Sequence, residues 1–150
     1  VNKNIKKILL IDEPYDILDK KTKDGKLLFE QAEKINKEYK SILSRALKVK
    51  KDRNVLVFTY KSDELSLTAD LSNELLYRNP GNVIIVAREN EGNMRISIRG
   101  DDIKVKNILE KVIKKFNGYG GGHEFAVGAN VLKEEFDEFI EEFKKEVSKQ

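Results

Sequence analysis

The sequence predicts an α/β domain, or an α+β variant of it: a mixed β-sheet with helices packed on it, preceded by a long connector helix. Three observations carry this. The 150 residues are 39% hydrophobic, enough for one packed core. Four short apolar runs rich in β-branched residues alternate with amphipathic segments after residue 54. Before residue 54 the apolar residues instead recur at helical spacing, Leu28, Ala32, Ile35, Tyr39, Ile42, Ala46 and Val49. The element order after residue 54 reads β-α-β-β-α-β-α.

Taken in order, Lys7 to Asp12 reads as a short buried strand or an extended docking segment. Pro14 and the stretch from Asp19 to Lys26 read as loop or linker. A helix follows over about Leu27 to Val49. Its alternating four- and three-residue spacing suits a core-facing helix, a coiled coil, or a connector between two domains. A protein partner along this heptad face, residues 27–49, is one expectation.

Val55 to Tyr60 is a strand of β-branched and aromatic residues. Ser62, Asp63 and Ser66 offer N-caps for a helix bearing Leu67, Leu71 and Leu75 and ending near Arg78. Asn79 to Asn82 is a turn, Val83 to Arg88 a second strand, and Glu89 to Asn93 a hairpin loop. Met94 to Arg99 is the third strand. Lys104 to Phe116 is an amphipathic helix, stopped by Asn117-Gly118. A glycine-dense loop leads to a strand over Ala126 to Leu132. The last helix starts near Glu134, where Glu134 and Glu135 favour its N-terminal dipole.

Composition excludes several chemistries. No cysteine is present, so disulfides, thiolate metal sites and cysteine nucleophiles are ruled out. A single histidine, His123, rules out a multi-imidazole metal site, while carboxylate-only sites stay allowed. No apolar run is long enough to span a membrane, and no secretory signal pattern opens the chain. The expected setting is the cytoplasm. A first residue other than methionine fits an excised fragment, or a chain whose initiator has been removed.

Net charge is only +3, and the pI of 8.9 falls short of an overt nucleic-acid binder. Its distribution says more. Residues 78–123 carry nine basic and five acidic side chains, and residues 124–150 carry four and eight. A basic middle beside an acidic tail suits a face that meets an anion, or a set of solvated helix faces.

Two features bear on chemistry. Gly118 to Glu124 (GYGGGHE) places three consecutive glycines before the only histidine. Such a run suits positive φ or close approach of a ligand to backbone, and successive N–H groups can form an anion-holding nest. A flexible turn with a surface histidine is the plain alternative. The segment fits neither the P-loop nor the dinucleotide fingerprint. In the strand Met94 to Arg99, alternation puts Met94, Ile96 and Ile98 on the core side and Arg95, Ser97 and Arg99 on the other. Two guanidiniums and a hydroxyl suit phosphate or carboxylate oxygens, or simply a solvent-facing strand. Tyr119 and Phe125 are the only aromatics in the loop, a thin supply of stacking platforms, and Phe125 suits the core equally well.

Ile96-Ser97-Ile98-Arg99, an amphipathic helix, Gly120-Gly121-Gly122-His123 and Ala126-Val127-Gly128-Ala129, in that order, resemble the DHH-associated domain. That domain is the C-terminal half of the DHH phosphoesterases, which include RecJ-like exonucleases and nanoRNases. The resemblance covers residues 54–150 and reaches back into the long helix. Glu124 after the histidine is most like archaeal RecJ-like members. Tyr119 stands where a fourth glycine is frequent, and Val127 where a second alanine is usual.

The resemblance implies a substrate-gripping domain over 54–150 and an N-terminal segment with connector helix over 1–53. It assigns phosphate or nucleotide binding to Arg99, Gly120, Gly121, Gly122 and His123, with Ser97 in support. In the family a separate DHH domain holds two divalent metal ions, usually manganese. This chain has no DHH triplet, so no metal, cofactor or catalytic residue is assigned to it. Mn or Mg is expected in a DHH catalytic domain of the parent chain. The expected partner is nucleic acid, single-stranded, held through its phosphates, with no membrane partner. Two other readings stay open: a clamp for nanoRNA or cyclic dinucleotides, and a non-enzymatic tRNA-binding, dimerising or scaffold module.

Overall fold

The computed structural model describes residues 2–61 and 65–150. It forms two compact units, one up to Ile42 and one from Leu43 onward. The first holds α1 (Asn2–Ile8), α2 (Pro14–Leu18) and most of α3 (Lys23–Ala46).

This N-terminal unit differs from the sequence expectation. Lys7 to Asp12 is neither strand nor buried: α1 ends at Ile8, and Leu9 and Leu10 are 79% and 77% exposed. A short apolar run fits helix and strand alike. Here the Leu9 N–H donates to the Ile5 carbonyl, which continues the helical turn. The loop around Pro14 and Asp19–Lys26 also shortens. Proline is tolerated in the first turn of α2, and Thr22 Oγ1 accepts the Gly25 N–H at 3.0 Å, which caps α3 ahead of its apolar stripe.

The second unit is built on a five-stranded sheet in the order β1-β2-β3-β5-β4. The strands are β1 (Val55–Lys61), β2 (Val83–Asn90), β3 (Asn93–Gly100), β4 (Gly118–His123) and β5 (Ala126–Leu132). β1 pairs parallel to β2, and all other neighbours are antiparallel, so the sheet is mixed as expected. The helices are α4 (Thr68–Arg78), α5 (Val105–Val112) and α6 (Phe136–Val147). Single 3-10 turns extend α5 and precede α6.

Two corrections follow. The order is β-α-β-β-α-β-β-α, because the glycine-dense segment is itself a strand, β4, paired with β5 along its whole length. Glycine is depleted from strands, so propensity hides it. Secondly, α4 starts after Leu67, not after Ser66. The Leu67 N–H donates to the Tyr60 hydroxyl at 2.8 Å, which ties the helix start to β1. Ser62 and Asp63 lie outside the described residues.

The faces of the sheet are covered unequally. On one, Ile85, Ile96, Ile98 and Val131 pack with α5 and α6 into the main core, where Phe139 and Phe143 are fully buried. Each such aromatic contributes about 1.5–3 kcal/mol of burial free energy. Ion pairs lace α5 and its 3-10 extension to α6, Lys115 to Glu142 at 2.6 Å among them. On the other face α4 packs on β2 and β3. Beside α4, on that same face, β5 and β4 present Gly128 and Gly121 to solvent. No helix among the described residues is long and apolar enough to cross a membrane.

Candidate functional site

Register places the sequence-predicted residues in cross-strand rows. Directly opposed residues of neighbouring strands share a face. Arg99 on β3 is opposite Ala126 on β5, which is opposite His123 on β4. Two residues along, Ser97, Gly128 and Gly121 form the next row. Two further, Arg95, Asn130 and Tyr119 form a third. The rows are spaced by about 6.6–6.8 Å, two residues of strand rise.

Arg99 is half-buried and held from two sides. Its Nε donates to Asn73 Oδ1 of α4 at 2.7 Å, and its Nη1 donates to the Ile98 carbonyl at 3.0 Å. Partial burial lowers its pKa from the usual value, but a guanidinium keeps its charge in proteins. Among the described residues those bonds leave Nη2 for an outside acceptor. Among the described residues Arg95 and Arg99 enter no ion pair, whereas nearby Lys104 is neutralised by Glu124 at 2.7 Å. Two guanidiniums without counter-ions on one open face suit an anion.

His123 is exposed at the end of β4. The hairpin tip beyond it is anchored: the Phe125 carbonyl accepts the Gly100 N–H at 2.9 Å, and the Glu124 carbonyl accepts the Lys106 N–H at 3.2 Å. Only the small Ala126 stands between His123 and Arg99 in their row.

The glycines divide by what requires them. Gly122 has φ +146°, and a Cβ there would meet the Ala126 carbonyl oxygen at 2.5 Å. A Cβ on Gly120 would meet the Gly128 carbonyl oxygen at 2.7 Å and press on Leu109 of α5. Both serve the close pairing of β4 on β5. Gly121 is different: a Cβ there meets nothing within 4 Å. Its partner Gly128 has only the Ile96 carbonyl oxygen, at an ordinary 3.7 Å. This pair makes a bare floor between the Arg99 row and the Arg95 row. The expected backbone nest is not the arrangement found, because in a strand successive N–H groups point to opposite edges.

Ser97 shares this face, yet α4 lies over it. It is 6% exposed, and its hydroxyl is 2.9 Å from that of Ser72. The structure thus brings together Arg99, Gly121 and His123, sets Gly120 and Gly122 beside them as pairing residues, and keeps Ser97 under the helix. Asn73, which aims Arg99, and Asn130 were not singled out by the sequence. An asparagine on a predicted helix or strand carries no signal of its own. Among the described residues no group of three or more His, Asp or Glu side chains is placed to hold a metal ion.

Comparison with known proteins agrees with this architecture. No curated protein matches in sequence. RecJ from Thermus thermophilus, solved with Mg2+, superposes with a TM-score of 0.71 at 13% identity, over 99% of this chain and 23% of that one. The pGpG-specific phosphodiesterase PggH from Vibrio cholerae gives 0.58 at 16% identity, over 84% of this chain and 43% of that one. The C-Ala domain of Aquifex aeolicus alanyl-tRNA synthetase gives 0.55 at 17% identity, over 67% of this chain and 98% of that one. The chain thus spans about a quarter of RecJ and less than half of PggH. At these identities the likeness is one of fold. The family model of the DHHA1 domain, however, matches residues 24–149, most of the sequence. With the mixed sheet, the paired glycines of β4 and β5 and the buttressed arginine of β3 in place, the chain belongs to the DHHA1 domain family.

Proposed function

We propose that this domain holds the phosphates of single-stranded nucleic acid for a DHH-family, RecJ-like phosphodiesterase. Arg99, Gly121 and His123 form the grip, and metal-bearing hydrolytic residues belong to a separate DHH domain. The observation that carries this is Arg99: a guanidinium oriented by Asn73, without an acidic partner among the described residues, facing His123 across Ala126. Charge-assisted donors of this kind select phosphate oxygens. The glycine floor lets a sugar–phosphate backbone lie close to the sheet. Gly120 and Gly122 keep that floor flat by letting β4 pair tightly. Ser97 acts only through the packing of α4. Glu124 is the residue that favours an archaeal RecJ-like relative, and the cytoplasm is the working location for a chain without cysteine.

The test is a binding and cleavage assay on the purified chain. A fluorescent single-stranded oligonucleotide binds weakly, Arg99→Ala and His123→Ala weaken it further, and no hydrolysis occurs with Mn2+ or Mg2+. Manganese-dependent cleavage by the chain alone, or two variants that bind like wild type, contradicts the proposal.

A second reading has one observation in its favour. The C-Ala domain of an alanyl-tRNA synthetase is matched over 98% of its length, which favours a tRNA-binding module. Preference for folded tRNA over an unstructured strand of equal length supports that reading against the first.

A further inference from the structure

Beside the Arg99 row lies a concave space of about 410 Å³ that shares only Gly121 with the phosphate grip. Its volume falls within the ~300–1,000 Å³ of small-ligand sites. Tyr119, Arg95, Asn130 and Thr68 line its sides, and Gly121 and Gly128 line its floor. Tyr119 is 73% exposed and contributes little to the core. Its hydroxyl accepts a hydrogen bond from Asn130 Nδ2 at 3.3 Å, which steadies the ring from the adjacent strand. An exposed aromatic propped beside a guanidinium that enters no ion pair among the described residues is a surface for a flat, electron-rich ring.

We propose that this space takes the second nucleoside of the bound strand, with its base stacked on Tyr119, so that the domain selects oligonucleotides over mononucleotides. The inference rests on the phosphate-holding role of Arg99 and His123. The rows set the path. A terminal phosphate sits at Arg99 and His123, and the next linkage crosses Gly121 and Gly128, two residues along the strand. The following base reaches Tyr119 after a further two residues. Each step is about 6.6–6.8 Å, close to one nucleotide of an extended strand. Stacking tolerates any base, since every base has a π-face. Arg95 closes the far side of the space, where it faces the phosphate that follows the second nucleoside of a longer strand.

The test uses the 150-residue chain and three ligands: thymidine 5′-phosphate, the 5′-phosphorylated dinucleotide of thymidine, and the same dinucleotide with an abasic second position. The expected result is that the dinucleotide binds about tenfold more tightly than the mononucleotide, as stacking of one base allows, while the abasic form gains little. Tyr119→Ala removes the gain and leaves mononucleotide affinity as it is, and Tyr119→Trp keeps the gain. If Tyr119→Ala keeps the gain, or weakens both ligands equally, the stacking role is overturned. If the dinucleotide shows no gain while Arg99→Ala still abolishes mononucleotide binding, this inference fails and the phosphate grip stands. If wild type binds none of the three, the phosphate-holding role fails and takes this inference with it.

Discussion

Gly121 of β4 lies directly opposite Gly128 of β5, and a side chain at Gly121 would meet nothing within 4 Å. The two glycines flanking Gly121 are needed to pack β4 on β5, so the central one separates fold from function. Gly121→Val is expected to leave stability within about 0.5 kcal/mol of wild type, as for other surface changes, while it weakens binding of a phosphorylated strand. Gly120→Ala, which presses a methyl onto Leu109 and a carbonyl oxygen, is expected to cost about 1–3 kcal/mol. Denaturant unfolding of both variants beside a binding titration checks the contrast. Wild-type affinity in Gly121→Val means the floor is not where the strand lies.

Arg99 is useful because Asn73 aims it. Removing a charged hydrogen-bond donor costs about 1.5–3 kcal/mol, so Arg99→Ala should weaken binding roughly tenfold or more. Asn73→Ala should have a smaller effect in the same direction. Arg99→Lys should not restore wild-type affinity, since an ammonium lacks the planar fork. Calorimetric titration of the three variants would expose a purely structural role for Asn73 if its loss reduced stability and left affinity intact.

Two guanidiniums on the open face set a limit on salt dependence. Each phosphate neutralised on a single strand contributes about 0.7 to the slope of log K against log salt. Arg95 and Arg99 together predict a slope of about −1.4. A much steeper slope in an affinity series from low to moderate salt would point to the lysine-rich helices instead.

Acid sensitivity should arise far from this face. Hydrogen bonds from Lys115 and then Lys145 lower the Glu142 pKa from 4.5 to about 2. A depressed carboxylate pKa gives stability that is present above the unfolded value and lost as pH falls through the folded one. The α5–α6 contact should therefore weaken between about pH 4.5 and pH 2. Melting temperatures across that range should fall less steeply in Glu142→Gln than in wild type, from a lower value at neutral pH.

The parts of the fold with strong periodicity are legible in the sequence. β3 is the clearest case: alternation puts Arg95, Ser97 and Arg99 on one face, and the register agrees. What alternation cannot give is the cover. Ser97 lies beneath α4 against Ser72, while Arg99, two residues on, is held at the helix edge by Asn73. Composition alone marks the glycine segment as the place for chemistry, but its strand character depends on pairing with β5 and has no signature in residue propensity. The segment around Lys7 misleads because Ile8, Leu9 and Leu10 make a strand-like run that continues a short helix.

The central claim is that nucleic acid lies on the open β5–β4 face beside α4. Titrating the isotopically labelled chain with a short 5′-phosphorylated single strand, and following backbone amide shifts by NMR, tests it most directly. The largest shifts should cluster at Arg99, Tyr119, Gly121, His123 and Gly128. Shifts that concentrate on α3 or α6 while this face stays silent would contradict it.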